Sequence, residues 1–336
     1  MIKVLELFSG YGGASFGLKK AGIKHKVIGY SDILKSANYI FALNHGHDIP
    51  AFGDITKINI DNLEDFDLLT GGFPCTDVSI AGLRDLSRGH TVLFNEIIRI
   101  AEKKKPKYML LENVEGICTA TYYGMPYIRH VLNELIRIGY TVRYQLMKSK
   151  DYGTPQNRPR VWFACFRNKD EAEKFIFPQK ETLKLCIKDL LEKEVDKKYF
   201  LTKEHIKKFR EHAKKQKEKR NTFANVEQDI NSFSQTLCSS SNHYFKINKR
   251  RQSLSSEFIN SCNENHNITN VWRRLTPREC FRLMGFFNDE INFGNVSDSK
   301  LYFMAGNGWD INVASKILSQ MIIGNKSNQK SLVEFK

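Results

Sequence analysis

Short apolar runs alternate with segments of helical periodicity from residue 1 to about residue 165. The runs KVLELF, KVIGYSD, AFGD, FDLLTGG and YMLLENV are typical of buried strands. Apolar residues recur at helical spacing in GYGGASFGLKKAG, ILKSANYIFALNHG, TVLFNEIIRIAEKKK and MPYIRHVLNELIRIGY. TVRYQLMKSKDY and RVWFACF predict a closing strand pair around GTPQNRP. This alternation predicts an α/β fold with a mostly parallel twisted sheet and helices on its faces.

The pattern changes after Pro178. Residues 181 to about 272 are rich in Lys, Asn and Ser and contain the charged helical segment KEHIKKFREHAKKQKEKR, whereas apolar periodicity returns from WRRLTPRECFRLMGF onward. We therefore predict a first domain over residues 1–178, a smaller domain over 179–272, and a C-terminal segment over 273–336 that returns to the first domain. Taken alone, the charged helix is more simply a solvated surface.

Net charge and cysteine usage limit the kinds of binding partner and the cellular compartments that are expected for the protein. The chain has 336 residues, 52 Lys and Arg against 37 Asp and Glu, and a net charge of +15. Residues 167 to 220 hold 18 Lys and Arg against 11 Asp and Glu, which favours a polyanionic partner such as nucleic acid. The seven cysteines are widely spaced and include no CxxC pair, so we predict reduced thiols and no metal site. No apolar run is long enough for a signal peptide or membrane span, which predicts a cytoplasmic protein.

Glycines and polar side chains follow the predicted strands at their carboxyl ends, where open α/β sheets bind ligands. The residues at these five ends are Phe8 with Ser9, Gly10, Gly12 and Gly13; Asp32; Asp54; Cys75; and Glu112. We expect them to converge on one crevice. A glycine-rich turn lets a cofactor approach the backbone, and acids after the next strands can accept hydrogen bonds from ribose hydroxyls (Asp32) or an exocyclic amine (Asp54). The spacing G-x-G-G is not the dinucleotide fingerprint, and helix capping or turn formation would explain either acid equally well.

The stretch GGFPCTDVS places Cys75 directly after a proline at a strand end. Most single cysteines fill a core, but a thiol aimed by Gly-Gly-Phe-Pro into a cofactor crevice is better explained as a nucleophile. The carboxyl of Glu112 is expected across the same pocket. Arg158 and Arg160, in QNRPR, supply cations that could favour the thiolate or hold a substrate oxygen.

The succession LELFSGYGG, YSD, GDIT, GGFPCTDVS, RGHTVLF, ENV, QNRPR, RRLTPRECFRLMGF and GNGW resembles the cytosine-C5 DNA methyltransferases. The match covers about residues 1 to 165 and 272 to 320. It implies a Rossmann-like domain that uses S-adenosylmethionine and yields S-adenosylhomocysteine, with a smaller target-recognition domain. By this resemblance Cys75 attacks C6 of a cytosine, Glu112 binds N3 and the exocyclic amine, and Arg158 and Arg160 complete the catalytic group.

The resemblance also assigns the cofactor pocket and the DNA contacts. The cofactor-binding residues are Phe8, Ser9, Gly10, Gly12, Gly13, Asp32, Ile33, Asp54, Ile55, Pro74, Leu93 and Asn307. The target cytosine is flipped out of duplex DNA, and the loop from Thr76 to Leu93 acts together with the small domain. The residues implied to contact DNA are Ser79, Arg84, Arg88, Thr236, Leu237 and Arg274. We expect a monomer, either with a cognate restriction endonuclease or as a solitary methylase.

Three positions depart from the family pattern. Thr76 stands where glutamine is common, Pro159 separates the two arginines, and Trp309 follows Gly308 where GNSV is usual. Two alternatives stay open: a transfer RNA cytosine-C5 methyltransferase, although no CFT element of that branch is present, and a catalytically silent DNA-binding homologue, although both the cysteine and the ENV acid are retained.

Overall fold

A six-stranded sheet flanked by helices forms the centre of the fold in a computed structural model, which describes residues 1–74, 92–218, 227–238, 244–248 and 270–324. The strands are β1 (Ile2–Leu7), β2 (His25–Ser31), β3 (Leu68–Gly72), β4 (Tyr108–Val114), β5 (Thr121–Tyr122), β6 (Met125–Pro126), β7 (Thr141–Lys148), β8 (Gln156–Asn157), β9 (Pro159–Phe166), β10 (Glu227–Gln228), β11 (Ser234–Gln235), β12 (Tyr244–Asn248) and β13 (Asn270–Arg274). The α-helices are α1 (Gly13–Lys20), α2 (Lys35–His45), α3 (Val92–Lys104), α4 (Tyr127–Arg137), α5 (Lys169–Lys174), α6 (Lys203–Glu218), α7 (Pro277–Arg282), α8 (Asp298–Asn307) and α9 (Ile311–Ser319).

The strand order of the sheet is β2-β1-β3-β4-β9-β7. Neighbours from β2 to β4 are parallel, and β9 runs antiparallel to both β4 and β7. The chain steps outward from β1 to β2 and then returns to the other side of β1 for β3. The order therefore reverses between β1 and β3, and ligands of open α/β sheets bind outside the carboxyl ends of the strands at such a point.

The alternation of side chains along the buried strands builds a core on each face of the sheet. On one face, Leu69 and Leu111 pack with Ile97 of α3 and Leu135 of α4. On the other face, the intervening strand residues pack with α1 and α9; they include Val4, Leu68, Leu110, Trp162 and Ala164. Strands covered on both faces are typical of α/β proteins, so the predicted fold class is confirmed.

The sequence prediction is wrong for the strand AFGD. Only Ala51 in this segment pairs with β2, through an isolated parallel bridge to Tyr30. Pro50 has no backbone N–H for a ladder, and Gly53 turns the chain away with φ of +66°. Asp54 consequently follows a bridge instead of a sheet strand, and four sheet strands, not five, lead into the predicted crevice.

The C-terminal helices lie against the N-terminal part of the chain. A Cβ added to Gly17 of α1 would lie 3.2 Å from Ala314 Cβ and 3.3 Å from Leu318 Cδ1, so the two helices are in close contact. A second core joins Leu190 and Phe200 to α7 and α8. The three proposed segments, 1–178, 179–272 and 273–336, remain a prediction as domain boundaries.

A carboxyl group is buried near the start of the chain. Glu6 on β1 is 2% exposed and accepts hydrogen bonds from the amide (3.0 Å) and the hydroxyl of Ser15 in α1. Burial raises the pKa of Glu6 from its ordinary value of 4.5 to about 7, against the opposing effect of the Ser15 hydrogen bonds. The folded protein therefore holds this proton more tightly than the unfolded chain does.

This proton linkage predicts a change of stability with pH. The contribution of Glu6 to the free energy of unfolding is fully present below pH 4.5 and is lost as the pH rises through about 7. The loss amounts to at most ~3 kcal/mol. Glu6→Gln is expected to remove this part of the pH dependence, measured by urea unfolding of both proteins at pH 5 and pH 8. Equal pH dependence in the two proteins would contradict the assignment.

Candidate active site

The turn after β1 has the backbone shape that a cofactor turn requires. Phe8, Gly10 and Gly12 have φ of +52°, +54° and +86°. At Gly12 a Cβ would lie 2.2 Å from His45 Nε2, so glycine is needed there for both conformation and space. Apart from its chain neighbours, no described residue has an atom within 4 Å of a Cβ placed on Gly10, which leaves that side of the turn open in the described part of the chain.

Asp32, at the end of β2, holds this turn in place. Its Oδ2 accepts a hydrogen bond from the Gly10 amide (2.9 Å), and its Oδ1 accepts one from the Leu34 amide (2.9 Å). Burial raises the pKa of the Asp32 carboxyl although both amides oppose the shift. Ile33 next to it is 75% exposed. The contact with Leu34 is the turn formation that a purely structural role of Asp32 predicts. The hydrogen bond from Gly10 additionally connects the end of β2 to the glycine turn after β1.

Asp54 makes the capping contacts that the structural explanation of this acid, helix capping or turn formation, predicts. Its Oδ1 accepts hydrogen bonds from the Thr56 amide (3.0 Å) and hydroxyl (2.8 Å) at the start of a 3₁₀ turn. These bonds lower the pKa of Asp54. Ile55 is buried, and its carbonyl accepts a hydrogen bond from Arg99 Nη2 (3.2 Å). A role of Asp54 and Ile55 at an adenine stays a prediction.

The remaining cofactor candidates lie near the end of β3, the start of α3 and the end of α8. Pro74 is exposed after β3, Leu93 packs on the core at the start of α3, and Asn307 is exposed at the end of α8. The hydroxyl of Ser9 is buried without a hydrogen-bond partner among the described residues. An open glycine turn, a carboxylate fixed beside it and a buried hydroxyl in need of a partner fit a ligand with ribose and amino-acid groups, such as S-adenosylmethionine.

A buried ion pair lies at the carboxyl end of β4. Arg160 Nε is 2.8 Å from Glu112 Oε1, and the two side chains are 13% and 9% exposed. Burial raises the pKa of Glu112, and the charges of Arg160 and Arg158 oppose that rise. Strand pairing places Glu112 beside Gly72, where a Cβ would lie 3.2 Å from Glu112 Oε2. Glycine at position 72 therefore leaves room for the carboxylate.

The segment that leads to the predicted nucleophile starts next to this ion pair. Asn113 Nδ2 donates a hydrogen bond to the Phe73 carbonyl (3.3 Å), so the ENV strand holds the end of β3. The predicted residues Cys75, Ser79, Arg84 and Arg88 lie outside the described residues, as does Thr76.

Arg158 occupies a different environment from Arg160, although only two positions separate them. Its guanidinium is 2% exposed and donates hydrogen bonds to the carbonyls of Leu237 (3.4 Å), Gly306 (3.0 Å) and Gly308 (2.8 Å). Burial lowers the pKa of Arg158 to about 9, and the charge of Arg160 acts in the same direction. Its donors thus join two backbone segments, around Leu237 and around Gly306–Gly308, which indicates a positioning residue more than a group that touches the substrate.

Thr236 and Leu237, two of the residues implied to contact DNA, are attached to the segment beside Arg158. β11 pairs in parallel with β8, the Leu237 amide donates to Gln156 Oε1 (2.9 Å), and the Thr236 hydroxyl donates to the Asn157 carbonyl (2.6 Å). Gln156 also donates to the Leu283 carbonyl (2.6 Å). The sequence interpretation gave Gln156 no role, although its position in QNRPR beside two arginines was a usable signal.

Two other predicted positions have clear packing partners. The guanidinium of Arg274 lies over the rings of Tyr199 (5.4 Å) and Tyr302 (5.6 Å), so part of its surface is already occupied. Trp309 is packed between Gly13, at the start of α1, and Gly72, at the end of β3. A Cβ added to Gly13 would lie 3.0 Å from Trp309 Cβ, and a Cβ added to Gly72 would lie 2.8 Å from Trp309 Nε1. The tryptophan that departs from the family pattern at position 309 is therefore a buried side chain that fills the space between these two glycines.

The carbonyl contacts of Arg158 predict a large effect of a conservative change. Arg158→Lys is expected to lower the free energy of unfolding by about 2 kcal/mol or more, because one ammonium nitrogen cannot reach the carbonyls of the two chain segments that Nη1 and Nη2 of the guanidinium contact separately. Urea unfolding measures this effect. Arg143→Lys is the matched control, since the exposed Arg143 donates through Nε to a single carbonyl, that of Ala172 (3.1 Å). Equal losses in the two variants would contradict the prediction.

Comparison with known proteins identifies the class of fold first. The solved structure of the Dnmt2 methyltransferase of S. pombe covers 96% of this chain and 99% of its own, with a TM-score of 0.70 and 22% sequence identity. At that identity the similarity defines the fold, an α/β methyltransferase fold.

Sequence comparison then identifies the family. The chain is 33% identical over 329 residues to the type II methyltransferase M.SsoII of Shigella sonnei, covering 95% of this chain and 80% of that protein. It is 29% identical to the type II methyltransferase M.Bsp6I of Bacillus sp. (strain RFL6), covering 94% and 97%. The family model of C-5 cytosine-specific DNA methylases matches residues 2–323. The chain belongs to this family, and it is a DNA cytosine-C5 methyltransferase.

Proposed function

We propose that this enzyme methylates C5 of a flipped-out cytosine in a short specific sequence of duplex DNA, through a covalent bond between Cys75 and C6. The observation that supports this most directly is the buried Glu112–Arg160 pair, whose carboxylate lies on β4, the strand next to β3, which leads to Cys75. Cytosine C5 is a poor nucleophile within its aromatic ring, and addition of a thiolate at C6 makes C5 resemble an enamine carbon.

Each residue of the site has one chemical task in this proposal. The Cys75 thiolate forms the bond to C6, while Glu112 donates a hydrogen bond or a proton at N3 as the ring gains electrons. Arg160 holds the base and keeps the Glu112 carboxyl oriented through their ion pair. S-Adenosylmethionine supplies the methyl group that C5 takes. Removal of the C5 proton then restores the double bond and expels the thiolate.

The cofactor would be held by the open turn after β1 and the acids beside it. The Ser9 hydroxyl, the Gly10 turn and the Asp32 carboxyl provide polar contacts, while Phe8 and the exposed Ile33 provide apolar surface for adenine. Pro74, Leu93 and Asn307 complete the pocket in this proposal. Among the described residues no cluster of His, Cys, Asp or Glu could hold a metal ion.

DNA would be bound across the edge that carries Glu112. Thr236 and Leu237 are attached to Asn157 and Gln156, next to the two arginines, which suits an element near the flipped base. Ser79, Arg84, Arg88 and Arg274 are further proposed contacts, and the basic residues of the small domain would bind phosphates. We also propose a cytoplasmic monomer, in a bacterium or in the host cell of a phage or virus, that acts either beside a cognate endonuclease or alone. Among the described helices, none is long and apolar enough to cross a membrane.

The test is base-resolution sequencing of cytosine methylation in DNA from a host that lacks it and expresses this chain. Methylation at C5 within one short repeated sequence would support the proposal. An unmethylated genome from well-folded protein would contradict it and shift attention to transfer RNA or to a silent DNA-binding role. Purified protein should bind duplex DNA less tightly as salt is raised, since phosphate contacts release counterions.

A further inference from the structure

The residue at the tip of a short hairpin has an unusual backbone conformation. β5 and β6 pair Tyr122 with Met125, and a two-residue turn connects them. In this turn Tyr123 has φ of +47° and Gly124 has φ of +77°. A turn with positive φ at both central residues favours Asn-Gly, and a bulky side chain at its first position costs about 1–2 kcal/mol.

The other non-glycine residues with positive φ among the described residues have structural explanations. Phe8 belongs to the turn after β1, and Lys105 ends α3 directly before Pro106. Asp289 is a residue type that tolerates this conformation and is paired with Arg282 (2.6 Å). Tyr123 is 72% exposed, so burial does not compensate its strain, and its ring contacts the neighbouring Tyr122 of the same hairpin. Strained backbone positions of this kind cluster at functional sites.

The hairpin follows the carboxyl end of the strand that carries Glu112. The strand of Glu112 continues into the 3₁₀ turn Glu115–Cys118, which contacts β9, and then into β5. A chain of ring contacts leads from the other side: Phe73 to Phe94 (5.2 Å), Phe94 to His130 (6.2 Å), and His130 to Tyr122 (4.7 Å). Tyr122 in turn contacts Tyr123 at 4.6 Å. The tip is therefore linked to a residue two positions before Cys75.

The tip presents an amphipathic surface to solvent. Beside Tyr123, Met125 is 48% exposed, and the hairpin carries no charged side chain. A phenol ring suits a boundary where one end meets apolar sugar and base edges and the other meets phosphate and water. The hairpin begins nine residues after Glu112, beyond one 3₁₀ turn, so a duplex that delivers a cytosine to the Glu112–Arg160 pair can also reach the tip.

We propose that the hairpin tip, Tyr123 with Met125, is a DNA contact that flanks the flipped cytosine. The proposal rests on the proposed function, because it takes duplex DNA as the partner at this edge. The contact is with sugar and phosphate beside the flipped nucleotide, so it adds affinity and positions the duplex without reading the sequence. The backbone strain at Tyr123 is retained because asparagine or glycine, which would relieve it, lacks the ring.

The decisive variant is Tyr123→Asn, because folding and DNA binding are expected to change in opposite directions. Asparagine tolerates positive φ, so the melting temperature should stay the same or rise. Affinity for DNA should fall by at least about fivefold, the smaller end of the effect of losing one aromatic contact to nucleic acid. The probe is a fluorescein-labelled duplex carrying the sequence that the methylation map identifies, titrated by anisotropy. Tyr144→Asn, which removes a 51% exposed tyrosine from the edge strand β7, is the matched control.

The outcomes separate this proposal from the proposed function. Wild-type protein that neither binds nor methylates duplex DNA would overturn the function itself. Wild-type activity with equal affinity in Tyr123→Asn would overturn only the tip contact. Equal losses in Tyr123→Asn and Tyr144→Asn would also overturn it, since the effect would not depend on position. Reduced affinity in Tyr123→Asn alone, with unimpaired stability, would support the contact.

Discussion

Replacing Cys75 by alanine is expected to abolish methyl transfer to duplex DNA while leaving DNA binding intact. An alanine methyl group cannot add to C6, and without that addition C5 stays within an aromatic ring and does not take a methyl group. Transfer of a labelled methyl group from S-adenosylmethionine to the target duplex measures the first quantity, and anisotropy with a labelled duplex measures the second. Retained methylation in Cys75→Ala would show that another group is the nucleophile.

The covalent step can be tested apart from turnover. In a duplex with 5-fluorocytosine at the target position, the proton that must leave C5 is replaced by fluorine, so the bond between Cys75 and C6 should persist and appear as a protein–DNA adduct. Cys75→Ala should form no adduct. Cys118→Ala is the matched control, because Cys118 is an exposed free thiol on the segment that follows Glu112. A comparable loss of activity in Cys118→Ala would contradict the assignment of the nucleophile to Cys75.

The buried parts of the sheet were predictable because their sequence pattern is local. YMLLENV forms β4 over Tyr108–Val114, as its apolar run predicts. AFGD failed because one bridge to Tyr30 and the turn at Gly53, not its apolar residues, decide its structure. The helix predicted from MPYIRHVLNELIRIGY begins at Tyr127, since Met125 and Pro126 are paired in the hairpin. Periodicity alone does not contain such tertiary pairings.

The site shows the same division between local and tertiary information. Strand ends bring Phe8, Asp32 and Glu112 to one edge, which the positions of the strands in the sequence were enough to predict. The separate environments of Arg158 and Arg160 were not predictable, because residues two apart have the same local character. One contacts Glu112 and the other contacts carbonyls of segments some 80 and 150 positions away. Only the packing of these two later segments against Arg158 distinguishes the two arginines.

The buried side chain of Trp309 shows how tertiary packing sets the geometry of residues whose local structure was predictable. Its carbonyl accepts a hydrogen bond from the Tyr11 hydroxyl, and its ring lies edge-on to Trp162 at 4.9 Å. The two glycines that face it, Gly13 and Gly72, belong to the cofactor turn and to the strand that leads to Cys75. The spacing between these two parts of the site is therefore set by a side chain more than 230 residues downstream, which no local pattern could have indicated.

Glu112→Gln is expected to reduce kcat by at least about a hundredfold, the usual lower range for loss of a positioned proton donor. Glutamine keeps an oxygen that can accept from Arg160 Nε, so the geometry of the pair is largely retained, but it has no proton to transfer to N3. Single-turnover methylation measures the rate, and duplex affinity should change little. Glu115→Gln, on the turn that follows β4, is the matched control. A rate within a few-fold of wild type would contradict the role of Glu112 at N3.

Because Glu112 is buried beside Arg160, the pH dependence of activity provides a second and independent test of the role of Glu112. Burial raises the pKa of Glu112, so its acid form persists to higher pH than that of an exposed glutamate. The charge of Arg160 opposes this rise, so Arg160→Met should raise the pKa further. If the acid form of Glu112 is the proton donor, activity falls as the pH rises through its pKa. That descending limb should move to higher pH in Arg160→Met and disappear in Glu112→Gln, even though both variants are slow. A limb that stays in place in both variants would assign it to a different group.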